Sequence, residues 1–202
     1  MKIEDIFNRI MSNYSGLSRN VNWGERGLFY NPGNKLPLGA YMLTFKEKDG
    51  KNDSASQVNR PGVFRLNLKI SKATFIKLFD NVPARPAAGS VVATGHDFTQ
   101  RDTIMPHPVY GWMTWICVLN PSEATIARME SLHLFDEAYQ AAVGTFNKKT
   151  GTTAGKSQDK FFSSTATQPM DSSQNKKRAR GKTENENEID LPATKEPQLS
   201  MT

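Results

Sequence analysis

The stretch that most constrains this chain is residues 105–124, MPHPVYGWMTWICVLNPSEA. It gathers two of the three tryptophans, the single cysteine and one of the three histidines into one continuous segment. Read as a strand over residues 111–119, both sides are apolar, with Trp112, Ile116 and Val118 on one and Met113, Trp115 and Cys117 on the other. Such a strand belongs inside a sheet covered on both faces, or at a dimer contact. Asn120-Pro121-Ser122-Glu123 then predicts a helix start. In that reading Asn120 is the N-cap, proline presets the first helical position and Glu123 stands at the third. The rest of the chain has to cover this strand and helix.

Upstream, Ile3, Ile6, Phe7, Ile10 and Met11 fall at helical spacing and predict an amphipathic helix that ends near Ser15-Gly16. Residues 27–30 form a short strand candidate closed by the turn cluster Asn31-Pro32-Gly33-Asn34. Residues 40–46 alternate, Tyr41, Leu43 and Phe45 against Met42, Thr44 and Lys46. Residues 47–59 read as a polar loop in which Asp49-Gly50 can turn tightly. The cleanest period of two lies at residues 63–70, where Phe64, Leu66, Leu68 and Ile70 oppose Arg65, Asn67 and Lys69. Ser71 is placed to cap a short helix over residues 72–79. Residues 83–108 are long and irregular, a length that compact domains keep for functional loops. After Pro121 the apolar spacing continues to Phe146 but slips near His133, which allows two helices or one bent helix. These elements predict a two-layer α+β domain, an antiparallel sheet of about four or five strands packed against N- and C-terminal helices.

The character changes after residue 147. Residues 148–202 hold no aromatic beyond Phe161 and Phe162 and are rich in polar residues, so they bury too little to offset ordering and read as a disordered tail. That tail explains a mean hydropathy of −0.57. Within residues 176–182, Lys176, Lys177, Arg178, Arg180 and Lys182 form a basic cluster of the kind read by a nuclear import receptor, one that touches nucleic acid loosely, or plain solubilising charge. The net charge of +6 permits polyanion partners without requiring them. One cysteine rules out an intrachain disulfide and a multi-cysteine zinc site. Glu4 and Asp5 stand where a secretion signal needs basic and then apolar residues, and no window is apolar enough for a membrane span. The expectation is an intracellular protein of nucleus or cytoplasm, with no membrane partner and an oligomeric state the sequence leaves open.

Chemistry could sit in two places. His96 and Asp97 lie in the long loop with His107, and imidazole and carboxylate are suited to acid–base work. Their spacing fits no metal motif, so no metal or other cofactor is expected, and structural roles suit them as well, with His107 packed on Trp112. Arg65, Asn67 and Lys69 make a polar row, near Thr44 and Lys46 if those two strands pair, that could receive a phosphate or carboxylate. The plainer reading of that row is the solvated face of an antiparallel sheet. Tyr110, entering the aromatic segment beside His107, completes the ligand-binding candidates. Cys117, set among apolar residues, reads as packing and not as a nucleophile.

The blocks at residues 60–67 (RPGVFRLN), 83–89 (PARPAAG), 95–98 (GHDF), 105–113 (MPHPVYGWM) and 117–122 (CVLNPS) resemble a mainly bacterial domain-of-unknown-function family, number 6194, over residues 1–147. That resemblance implies no activity. The element order, with an aromatic strand after a histidine-bearing loop (His107, Trp112) and a final helix, is more remotely similar to the MmcQ/YjbR-like proteins. That second likeness implies a curved antiparallel sheet and a DNA-binding role. The leading expectation is therefore a non-enzymatic binding module, associated with nucleic acid. The alternatives are a small enzyme using His96, Asp97 and His107 with Arg65 as anion holder, and a protein-interaction domain.

Overall fold

The computed structural model describes residues 1–151, so the basic cluster and the rest of the tail lie outside the described residues. The elements are α1 (Ile3–Asn13), β1 (Leu17–Asn22), β2 (Glu25–Tyr30), β3 (Ala40–Lys46), β4 (Arg65–Lys69), α2 (Lys72–Phe79), β5 (Met105–Pro106), β6 (Trp115–Leu119), α3 (Glu123–Ser131) and α4 (Leu134–Thr150). Six strands form one antiparallel sheet in the order β1-β2-β3-β4-β6-β5. The α+β expectation holds, with one strand more than the upper end of the expected count. The added pieces, β1 and β5, are the polar outermost strand and a two-residue strand, neither of which carries an apolar period.

Alternation places the core. On β4, Leu66 and Leu68 join the main apolar cluster, and on β6 Ile116 and Val118 do the same. They meet Ile3, Ile6, Phe7 and Ile10 of α1, Ile126 and Met129 of α3, and Leu134, Phe135, Ala138, Ala142 and Phe146 of α4. Phe7 sets its edge against Phe45 of β3 at 4.9 Å and 81°. One face of the sheet is thus covered by helices. Loops cover much of the other, where Cys117 packs with Val92, Phe98 and Met105, and Leu119 with Val58 and Val63.

Ser71 caps α2 by accepting from the Thr74 amide at 3.1 Å, as the sequence predicts. Three expectations are corrected. The aromatic strand starts at Trp115 and not at residue 111, because Gly111–Met113 is a 3-10 turn and Thr114 is left-handed at φ 62. A Cβ on Gly111 would stand 3.2 Å from Pro106 Cβ and 3.3 Å from Val92, and the glycine lets the turn pack there. Secondly, the α3 cap is Ser122, whose Oγ accepts from Thr125 N at 3.2 Å. Asn120 instead sits at φ 43, accepts from Phe64 N at 3.2 Å and donates to Gly62 O at 2.7 Å. The chain breaks at His133, left-handed at φ 57, into two helices. Lastly, α4 continues past residue 147 to Thr150, with Lys148 and Lys149 in its last turn beside the negative end of the helix dipole.

The cap assignment is testable. Ser122→Ala should cost about 1 kcal/mol in urea unfolding, the usual scale for losing a serine N-cap. A change within a few tenths of a kcal/mol would return the capping role to Asn120.

Candidate functional site

The face of the sheet opposite the helices carries a charge that water cannot reach. Arg65 is 0% exposed at the start of β4. An isolated buried guanidinium is prohibitive, so every donor needs a partner. All five have one. Nε donates to Asn67 Oδ1 at 2.8 Å, and Nη1 donates to Asp53 Oδ1 at 2.9 Å and Ser56 Oγ at 2.8 Å. Nη2 donates to Asp53 Oδ2 at 2.5 Å and stands 2.9 Å from His107 Nε2. The Asp53 contact is the two-pronged carboxylate pairing for which arginine is shaped.

Around this pair the strands add a polar layer. Register sets Lys46 opposite Arg65 and Thr44 opposite Asn67, and Asn67 opposite Cys117. Asn67 Nδ2 donates to Thr44 Oγ1 at 3.2 Å, and Thr44 Oγ1 donates to Glu25 Oε2 at 2.9 Å. Lys46 Nζ reaches Glu25 at 3.2 Å and Asp53 at 3.6 Å. The polar row is therefore not a solvated face. Arg65 and Asn67 are buried because the loop of residues 47–63 closes over them. Asp49 ties that loop by accepting from the amides of Val58 and Asn59. Arg60 ties it to the second loop by donating to Ser56 O and Thr99 O, each at 3.2 Å.

His107 is buried at the centre. The amides of Val109 and Tyr110 both donate to its Nδ1 at 3.1 Å, and Arg65 Nη2 faces its Nε2. Every neighbour of the ring is a donor, whereas a neutral imidazole has one lone pair and a protonated one has none. Burial first, and then the Arg65 charge, hold His107 well below its ordinary 6.5. The ring is an acceptor and stays neutral. Burial alone would raise the Asp53 carboxyl, but the hydrogen bonds and charge of Arg65 outweigh it and bring it down to about 2. For Arg65, the Asp53 contacts likewise outweigh burial and keep it charged. Burial pushes the Cys117 thiol up to about 12, which leaves it an inert packing group.

Of the residues expected to form a site, Arg65, Asn67, His107 and Tyr110 come together. The Tyr110 ring lies 5.0 Å from that of His107, the place the sequence reading assigned to Trp112. Trp112 lies instead under Arg85, whose Cζ is 4.9 Å from its ring centroid. The other two loop candidates take different neighbours from His107. His96 sets its edge to Phe79 at 5.8 Å, and Asp97 accepts from Thr99 N and Oγ1 in a local turn. Lys69 is exposed at the end of β4, opposite Trp115. Asp53, Ser56 and Glu25 were missed. No sequence signal marks which carboxylate, twelve residues back in a polar loop, answers a buried arginine.

The described residues hold no group of three or more His, Cys, Asp or Glu side chains placed for a metal ion, and no helix long and apolar enough to cross a membrane. Two surface depressions lie elsewhere, one of about 150 Å³ beside Phe79, Asp102 and Arg128, the other of about 510 Å³ beside Ile3, Val58 and Phe64. Residues 1–151 match a family described as a family of unknown function, DUF6194. No curated protein and no solved structure matches the chain.

The network sets a pH dependence. Asp53 titrates near 3.8 unfolded and about 2 folded, so about 2 kcal/mol of stability is present above pH 3.8 and is lost as pH falls toward 2. His107 resists protonation when folded, so stability also declines as pH drops below 6.5. Asp53→Asn should cost about 3–5 kcal/mol, the scale for leaving a buried charge unpaired, and should flatten the acid limb below pH 3.8. Urea unfolding across pH checks both. An unchanged acid limb in the variant would place the carboxylate outside the network.

Proposed function

We propose that this chain, which belongs to the DUF6194 family of unknown function, is a non-enzymatic binding module that takes nucleic acid at the corner where the aromatic segment turns into β6. The observation that carries the reading is the run from Tyr110 to Trp115, set between two exposed cations. Tyr110 is 39% exposed. Trp112 is partly exposed beneath the Arg85 guanidinium, and Trp115 is partly exposed opposite Lys69. Aromatic faces beside Lys and Arg are the elements that hold an unpaired base and its phosphates. Residues 1–151 carry 18 Lys and Arg against 13 Asp and Glu, so the described residues hold +5 of the chain's +6. Attraction to phosphate does not rest on the tail.

The catalytic alternative needs His96, Asp97 and His107 around one substrate with Arg65 holding an anion. Arg65 has four donors on oxygen acceptors and the fifth turned to His107, which has donors on both sides. Asp97 is folded back onto Thr99. These groups act as scaffold, and Arg85, Lys69, Tyr110, Trp112 and Trp115 supply the contact.

The test uses the full chain with Lys176, Lys177, Arg178, Arg180 and Lys182 changed to alanine, so that the tail cluster contributes nothing. Fluorescence anisotropy with a labelled single-stranded oligonucleotide should show affinity falling steeply with salt as counterions are released. Arg85→Ala and Lys69→Ala should each lower the log–log salt slope by about one. Salt-independent or absent binding in the tail-neutralised chain overturns the reading.

A further inference from the structure

A sheet with two ends has two edges to protect, and this one protects only one of them. At one end β5 is two residues long and contains Pro106, which has no amide to offer a partner strand. The neighbouring backbone is also engaged, with Val92 N donating to Pro108 O at 2.8 Å. At the other end β1 is six residues, LSRNVN, with no proline, no lysine and an unbroken register against β2. Among the described residues it pairs with β2 alone.

The hairpin geometry shows which groups face outward. Trp23 and Gly24 both have positive φ, 54 and 77, as a two-residue type I′ turn requires. Such a turn is closed by a hydrogen-bonded pair, here Asn22 and Glu25, and the pairs alternate back along the strand to Asn20–Gly27 and Ser18–Phe29. The backbone groups of Leu17, Arg19 and Val21 therefore point away from the sheet. The amide of Val21 is met only by its neighbour's side chain, Asn20 Oδ1 at 2.8 Å. The most exposed large apolar side chains among the described residues are on this same edge and its turn, Trp23 at 82% and Val21 at 56%.

We propose that β1 is a self-association edge, and that two copies of the chain pair through antiparallel β1 strands into a continuous sheet of twice the width. An antiparallel edge is its own complement, as a two-fold interface demands. The register centred on Asn20 fits the side chains. Asn20 faces its symmetry mate, Ser18 faces Asn22, Arg19 faces Val21, and Leu17 faces Trp23 at both ends. No like charges stand opposite each other. Arg19 is already turned to α1, donating to Glu4 at 2.8 Å and Asn8 at 2.6 Å, which leaves the strand edge clear of its charge. In this register Arg19 and Val21 form the hydrogen-bonded pairs, so the Asn20 pair is the close one, with Cα atoms about 4.5 Å apart.

That closeness gives the experiment. The chain's own Cys117 is buried and unreactive, so a new cysteine reports alone. Full-length Asn20→Cys under mild oxidation should give a disulfide-linked dimer, while Lys77→Cys, an exposed control on α2, should give little. In sedimentation velocity the unmodified 22.5 kDa chain should run as a dimer, and Val21→Lys should weaken association at least tenfold with no loss of fold by circular dichroism. The proposal is overturned if the chain stays monomeric through the micromolar range. It is equally overturned if Asn20→Cys cross-links no faster than the control, or if Val21→Lys leaves the dimer intact.

Discussion

A guanidinium sealed against a sheet has to be answered on every side, and that demand shapes half of this molecule. Arg65 draws Asp53 and Ser56 in from one loop and His107 from another, and both loops pass close over β3, β4 and β6 as a result. The helical face is held by apolar packing, which tolerates some exchange of shape. The loop face is held by a network in which losing one member strands a charge. The two faces of one sheet thus obey different physics.

The same network engages the residues that look like chemistry. Arginine, histidine, aspartate and cysteine meet within one small volume, yet each is spent or silenced. Arg65 and Asp53 neutralise each other, burial and the Arg65 charge suppress the His107 proton, and burial disarms Cys117. What solvent still reaches is the surface that this layer supports. Tyr110 illustrates the arrangement, since its amide helps fix His107 while much of its ring stays open to solvent. A side chain held in this way has little freedom left to lose.

Edges show a comparable economy of design. Pro106 sits where the sheet must end, and β1, with polar side chains and an unbroken ladder, sits where it can continue.

The local elements were legible because their signals are local. The helix of Ile3, Ile6, Phe7 and Ile10, the alternation at Leu66 and Leu68, the Ser71 cap and the break near His133 follow from spacing along a few turns of chain. So did Cys117 as packing and the strand pairing that brings Thr44 and Lys46 beside Asn67 and Arg65. The burial of that polar row was decided only by tertiary structure. Alternation shows that Arg65 and Asn67 face away from the apolar core, but it cannot say whether water or a loop lies there. The answer depends on Asp53 closing from twelve residues away, a contact with no period and no motif. In the same way Gly111 and Thr114 shortened the aromatic strand, because a turn packed beneath Val92 and Pro106 overrode the apolar pattern written along it. Spacing determines which side of an element is apolar, and only the folded chain determines what comes to cover the other.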